Sequence, residues 1–208
     1  MFLTNLQTKL SGMDRSSRFA LILSAFLITL VVVLGGIFLI AAREPGTATA
    51  SAIGGPFTLV DQDGKTITDR DLKGWPYLVF FGYTHCPDVC PTTLFEISEV
   101  LRALGSDANQ TRALFVTVDP ERDTPPVLKD YLSSFDPHLR GMTGDAAQIA
   151  AIEKSYRVYA KKAPGTNGDY SMDHTALVYL MDKQGRFVAP FNMRRSPQDA
   201  AKDLRRYF

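Results

Sequence analysis

The hydrophobic positions of this 208-residue chain change rhythm several times. From Phe19 to Ala42 the chain reads FALILSAFLITLVVVLGGIFLIAA, with no charged side chain. As a helix that run would extend about 36 Å at about 1.5 Å per residue, enough to cross a bilayer core of about 30 Å. It exceeds the apolar core of a cleaved signal peptide, about 7–15 residues. Small-residue sites do follow it, at Ala48-Thr49-Ala50 and Ala50-Ser51-Ala52. We read residues 19–42 as a single transmembrane anchor. Further on, Phe57–Val60, the turn Asp61–Lys65 and the returning Thr66–Thr68 predict a hairpin. Tyr77–Phe81 is continuously apolar, the mark of a strand buried on both faces. Thr92 to Leu104 places Leu94, Ile97, Leu101 and Leu104 at helical spacing. Ala113–Val118 predicts a second buried strand. Pro126–Phe135 and Asp145–Tyr156 predict amphipathic helices. Thr175–Met181, a turn at 182–185 and Arg186–Ala189 predict a second hairpin, and Ser196 can cap a last helix running to Tyr207.

Strands alternating with helices and closing on a hairpin and a helix predict an α/β fold. The order β-α-β-α…β-β-α is that of a thioredoxin-like fold, here with an extra N-terminal hairpin and a helical insertion, preceded by a single transmembrane helix. The expected division is a cytoplasmic N-terminus at 1–18, the anchor at 19–42, a flexible linker at 43–56 (small, polar and Gly/Pro-rich) and the thioredoxin-like domain at 57–208.

Charge fixes the expected orientation. Lys9, Arg15 and Arg18 precede the apolar run against one acid, Asp14, whereas Arg43 follows it beside Glu44. The positive-inside tendency then leaves the N-terminus in the cytoplasm and the domain on the other side. A mitochondrial transit peptide would be Arg-rich and free of acids. The expected place is therefore a bacterial inner membrane with a periplasmic domain, ahead of a mitochondrial inner membrane facing the intermembrane space. The net charge of +1 argues against a nucleic-acid partner. Two cysteines exclude a disulfide-rich scaffold and any four-cysteine metal site in one chain.

Those two cysteines carry the candidate chemistry. The strand YLVFF runs into Gly82-Tyr83-Thr84-His85-Cys86-Pro87-Asp88-Val89-Cys90-Pro91, at the strand-to-helix junction where α/β sheets place their chemistry. The start of a helix favours thiolate through its dipole and free N–H groups. If the turn is helical, Cys86 and Cys90 lie on one face with Cβ atoms about 5–6 Å apart, which suits a shared metal and permits a disulfide. A purely structural bridge is the plain alternative, although so short a loop stabilises little. Two thiolates under-coordinate most metals, and the chain has three histidines. His174 enters the strand TALVYLM from the loop Pro164–Asp173, opposite the cysteines in such a fold. His85 adjoins Cys86, and His138 lies in a polar turn. Two soft sulfurs and an imidazole select copper, above all Cu(I) in a trigonal site, and Cu(II) with water or another donor added. Structural zinc would want a fourth protein ligand. Asp119, in the run Asp119-Pro120-Glu121-Arg122-Asp123, and Asp173 are candidates to tune the site or orient His174. Tyr83 and Phe81 are expected as core or wall residues.

The runs FFGYTHCPDVCPTTL, VTVDPERDTP and DHTALVYLMDKQGRF together resemble the Sco/SenC family of copper-binding cytochrome c oxidase assembly proteins. The resemblance implies Cys86, Cys90 and His174 as copper ligands. It implies delivery of copper to the dinuclear copper centre of cytochrome c oxidase subunit II, or reduction of that site's cysteines. An upstream copper donor and a thiol reductant would be further partners. A metallochaperone of this kind is not an enzyme in the ordinary sense. The competing class is a thiol-disulfide oxidoreductase cycling Cys86–Cys90. A peroxidase with Thr84 and Arg122 at a cysteine fits poorly, because a second cysteine lies four residues on. A copper or redox sensor is a fourth reading.

Overall fold

The computed structural model describes residues 14–41, 53–165 and 169–208. The chain divides into two compact units, residues 1–50 and 51–208. The first contains one long helix, α1 (Arg15–Ala41). Its stretch Phe19–Ile37 has a mean hydropathy of 2.7 and none of it is buried, so it is no core helix. Most of the expected linker, and residues 1–13 of the expected N-terminal segment, lie outside the described residues.

The second unit is built on a seven-stranded mixed sheet. The front hairpin forms as expected, from β1 (Thr58–Asp61) and β2 (Thr66–Thr68) around a turn that the buried Asp61 ties by accepting the N–H groups of Asp63 and Lys65. Then come β3 (Tyr77–Gly82), α2 (Val89–Leu104), β4 (Arg112–Thr117), α3 (Pro125–Leu132), β5 (Leu139–Thr143) and α4 (Ala146–Tyr156). The chain continues through β6 (Ala160–Pro164), β7 (Tyr170–His174), β8 (Val178–Met181), β9 (Phe187–Pro190) and α5 (Pro197–Leu204). Strand order in the main sheet is β2-β1-β5-β4-β3-β8-β9, with β6 and β7 forming a separate two-stranded sheet. β3 lies parallel to β4 and antiparallel to β8, and all six of its residues are buried, as its unbroken apolar run requires. The series β3-α2-β4…β8-β9-α5 is the thioredoxin-like arrangement.

Helix limits follow local chemistry. Asp145 caps α4 by accepting the Gln148 N–H, while Gln148 reaches back to the Asp145 N–H. Ser196 caps α5 through the Asp199 N–H. α3 starts with proline and stops at Leu132, three residues short of the expected Phe135.

Three elements, β5, β6 and β7, are strands that the sequence rhythm did not announce. β5 lies between β1 and β4 and so joins the front hairpin to the sheet. The stretch read as a loop, Pro164–Asp173, instead holds the end of β6 and most of its antiparallel partner β7. The strand expected at Thr175–Met181 accordingly shrinks to Val178–Met181, and His174 ends β7 rather than entering β8.

Candidate metal centre

The cysteine turn hangs from the buried end of β3. Gly82 allows it to lie close, because a Cβ there would come 2.7 Å from Cys90 Sγ and 2.8 Å from a Phe115 ring carbon. α2 begins only at Val89, so Cys86 precedes the helix instead of sharing a helical face with Cys90. Asp88 occupies the cap position without a side-chain bond, and Cys86 Sγ takes the open Cys90 N–H at 3.4 Å. A sulfur acting as the cap thus brings the two thiols together. Both are free, Cys86 half-buried and Cys90 buried. Burial pushes the Cys90 thiol well above its usual range.

His174 arrives from the other side. Its Nδ1 lies 3.2 Å from the Thr175 carbonyl, which can only accept, so Nδ1 carries the proton and Nε2 the lone pair. Nε2 faces Cys90 Sγ at 3.5 Å, so the protonated thiol donates to it. Burial also pulls the imidazole pKa below its usual value, which keeps the ring neutral as a metal ligand needs. Tyr83 and Phe80 wall the ring edge-on, at centroid distances of 5.8 and 6.3 Å. Phe81, expected as a core or wall residue, belongs to the core, on the opposite face of the sheet against Tyr156 and Tyr179. The alternation of a strand decides this: 80 and 82 face the cysteines, 81 faces away.

The ligand atoms of Cys86, Cys90 and His174 all lie within 4.8 Å of one another. Among the described residues this is the only such group of His, Cys, Asp or Glu. His85 is exposed and meets Thr84 Oγ1 at 3.1 Å, and His138 is bound to Asp136 in its own turn, so neither joins the group.

The acidic candidates take different places. Asp119 is buried, where its carboxylate accepts the Tyr170 hydroxyl at 2.8 Å and pairs with Arg122. Asp173 is exposed, and Thr175 rather than Asp173 partners His174 Nδ1; Asp173 acts on the imidazole through its charge. Asp123, not singled out in the sequence, braces the cysteine turn. It accepts from the Thr84 N–H at 3.1 Å and from the Thr84 and Thr117 hydroxyls, each at 2.6 Å. Burial raises its pKa against the pull of those bonds.

The profile of the SCO1/SenC family matches residues 45–208. The chain belongs to this family. An SCO2-like protein of Rickettsia felis is 37% identical over 155 residues, which make up 74% of this chain and 76% of that one. The mitochondrial SCO1 homolog 1 of Arabidopsis thaliana is 39% identical over 150 residues, 72% of this Sco chain but 45% of the plant protein, so the match spans under half of that relative. Among solved structures, copper-bound ScoI of Bradyrhizobium japonicum superposes with a TM-score of 0.74 at 68% identity, covering 76% of this chain and 100% of that one. The thioredoxin-like fold of this Sco chain is thereby that of its relatives.

Proposed function

We propose that this protein is a membrane-anchored copper metallochaperone that holds its cargo on Cys86, Cys90 and His174. The observation that carries the reading is the Cys90 thiol, whose proton a cation would replace, lying 3.5 Å from an Nε2 whose other ring nitrogen is already committed to Thr175. A cation that replaces that proton meets two soft sulfurs and a preset imidazole, a donor set suited to Cu(I). No fourth protein ligand stands by for structural zinc among the described residues. Copper in a Sco structure 68% identical to this chain supports the same choice.

By the same reading the cargo goes to the dinuclear copper centre of cytochrome c oxidase subunit II, by exchange of ligands. The family's role in cytochrome c oxidase assembly supports this direction. Residues 19–42 anchor the chain in a bacterial inner membrane, residues 1–18 stay in the cytoplasm, and the domain beyond the 43–56 linker faces the periplasm. The exposed apolar surface of α1 and the Lys9, Arg15 and Arg18 flank support that topology. Asp119 and Asp173 serve the site from outside the donor set, the first through contacts with Arg122 and Tyr170, the second through its charge.

A second reading is a thiol-disulfide oxidoreductase, supported by the two free thiols placed together at a helix start. The burial of Cys90, which limits the access of a partner disulfide to it, favours the copper reading. The test is a competition titration of the reduced, detergent-solubilised chain with Cu(I) against a chelator. Wild type is expected to bind one equivalent, and His174→Ala to weaken binding at least about tenfold. Binding indifferent to His174 would transfer the function to the Cys86–Cys90 redox couple.

A further inference from the structure

The donors come on two carriers, and one loop grips both. The loop, residues 118–124, follows β4. Asp123 near its end holds the cysteine turn through Thr84. The same loop holds the β6–β7 hairpin. Asp119 accepts the Tyr170 hydroxyl at 2.8 Å and pairs through its other oxygen with Arg122. Arg122 then donates from Nη1 to the Tyr170 carbonyl at 3.0 Å and to Asp169 at 3.1 Å, and its guanidinium lies 3.7 Å from the centre of the Tyr170 ring. Tyr170 is the first residue of β7 and His174 the last. The hairpin shares no strand ladder with the main sheet, so side-chain contacts help to set where β7 ends.

We infer that Arg122 and Tyr170 are positioning residues for the metal centre, clamping β7 through Asp119 so that His174 Nε2 meets the cysteines. The inference rests on the copper reading of Cys86, Cys90 and His174. A planar guanidinium binds a carboxylate, a carbonyl and a ring face at once, which fixes both the height and the tilt of the strand; an ammonium lacks that planar fork. The clamp also carries a local cost. Arg122 Nη2 is buried without a hydrogen-bond partner, a defect that chains tolerate where placement serves function over local stability. Donor geometry has to be held within about 0.5 Å for tight ligation, and the groups behind a ligand do the holding.

The test is a Cu(I) competition titration of the full chain in detergent, with apo thermal unfolding alongside. The variants are Tyr170→Phe and Arg122→Lys, each made in the wild-type and in the His174→Ala background. Tyr170→Phe removes a single oxygen and keeps the ring, so it remains informative if Arg122→Lys fails to fold. The expected result is an affinity loss of about tenfold for Tyr170→Phe, and of about ten- to a hundredfold for Arg122→Lys. Both losses should vanish in the His174→Ala background, where no imidazole is left to place. Affinities within about twofold of wild type, or equal losses in both backgrounds, would overturn the clamp. A wild type indifferent to His174→Ala would overturn the copper reading and the clamp together, and that control alone tells the two failures apart.

Discussion

The cysteines and the histidine reach the same point from opposite kinds of scaffold. The cysteine turn extends β3, a strand buried along its whole length and hydrogen-bonded on both sides by β4 and β8. His174 ends a two-stranded hairpin in which no residue of either strand is fully buried. Close packing fixes Cys90, as it fixes any core position, and Asp123 braces the turn that carries Cys86. Polar side chains fix the imidazole, and these depend on geometry more than on exclusion of water. A three-donor site therefore combines one rooted half with one tethered half, and substitutions in the two halves differ in what they disturb.

The sharpest way to break this comparison is at the root. Gly82→Val sets methyl groups where even a Cβ would lie 2.7 Å from Cys90 Sγ and 2.8 Å from Phe115. The expected cost is about 3 kcal/mol of stability, read as a fall in the midpoint of urea unfolding with an unchanged slope. An unaffected midpoint would show that β3 yields easily and that the root is no root. Asp123→Ala comes next. It leaves the Thr84 and Thr117 hydroxyls and the Thr84 N–H without their acceptor, for an expected loss of about 2 kcal/mol by the same measurement. The smallest effect belongs to the hairpin surface. Lys162 and Glu121 pair at 2.6 Å with side chains 47% and 66% exposed, so Lys162→Ala should change stability by less than about 0.5 kcal/mol. A loss as large as that of Asp123→Ala would mean that surface charge, rather than the buried Asp119 contacts, tethers the hairpin.

The same contrast explains what could be read in the chain and what could not. The rooted half was legible. YLVFF is unmistakably a buried strand, Leu94, Ile97, Leu101 and Leu104 mark a helix, and the turn between them carries both cysteines. The tethered half was not. AKKAP has no alternation of apolar and polar residues, and YSMDH alternates over too few residues to stand out, because only Ala160 and Met172 lean on the core and both are only partly buried. Their stability comes from partners distant in sequence, such as Asp119 and Arg122, which no local window contains. β5 escaped for a different reason: Arg140-Gly141 interrupts its apolar run, although the strand is held between β1 and β4. His174 was singled out from its expected place opposite the cysteines. The structure places it there, but at the end of a different strand. That Phe80 rather than Phe81 flanks it required the pleat of β3, which the sequence expresses only as a uniform run.

The proton on His174 Nδ1 is directed by a main-chain oxygen, that of Thr175. A side chain that orients a ligand can be deleted by one nucleotide change; a peptide carbonyl is present whatever residue follows. The choice of which ring nitrogen stays bare is thus inherited from the path of the backbone. Changes of side chain at 173 or 175 leave that oxygen in place, and only a change in the course of the chain itself can reverse the ring's polarity.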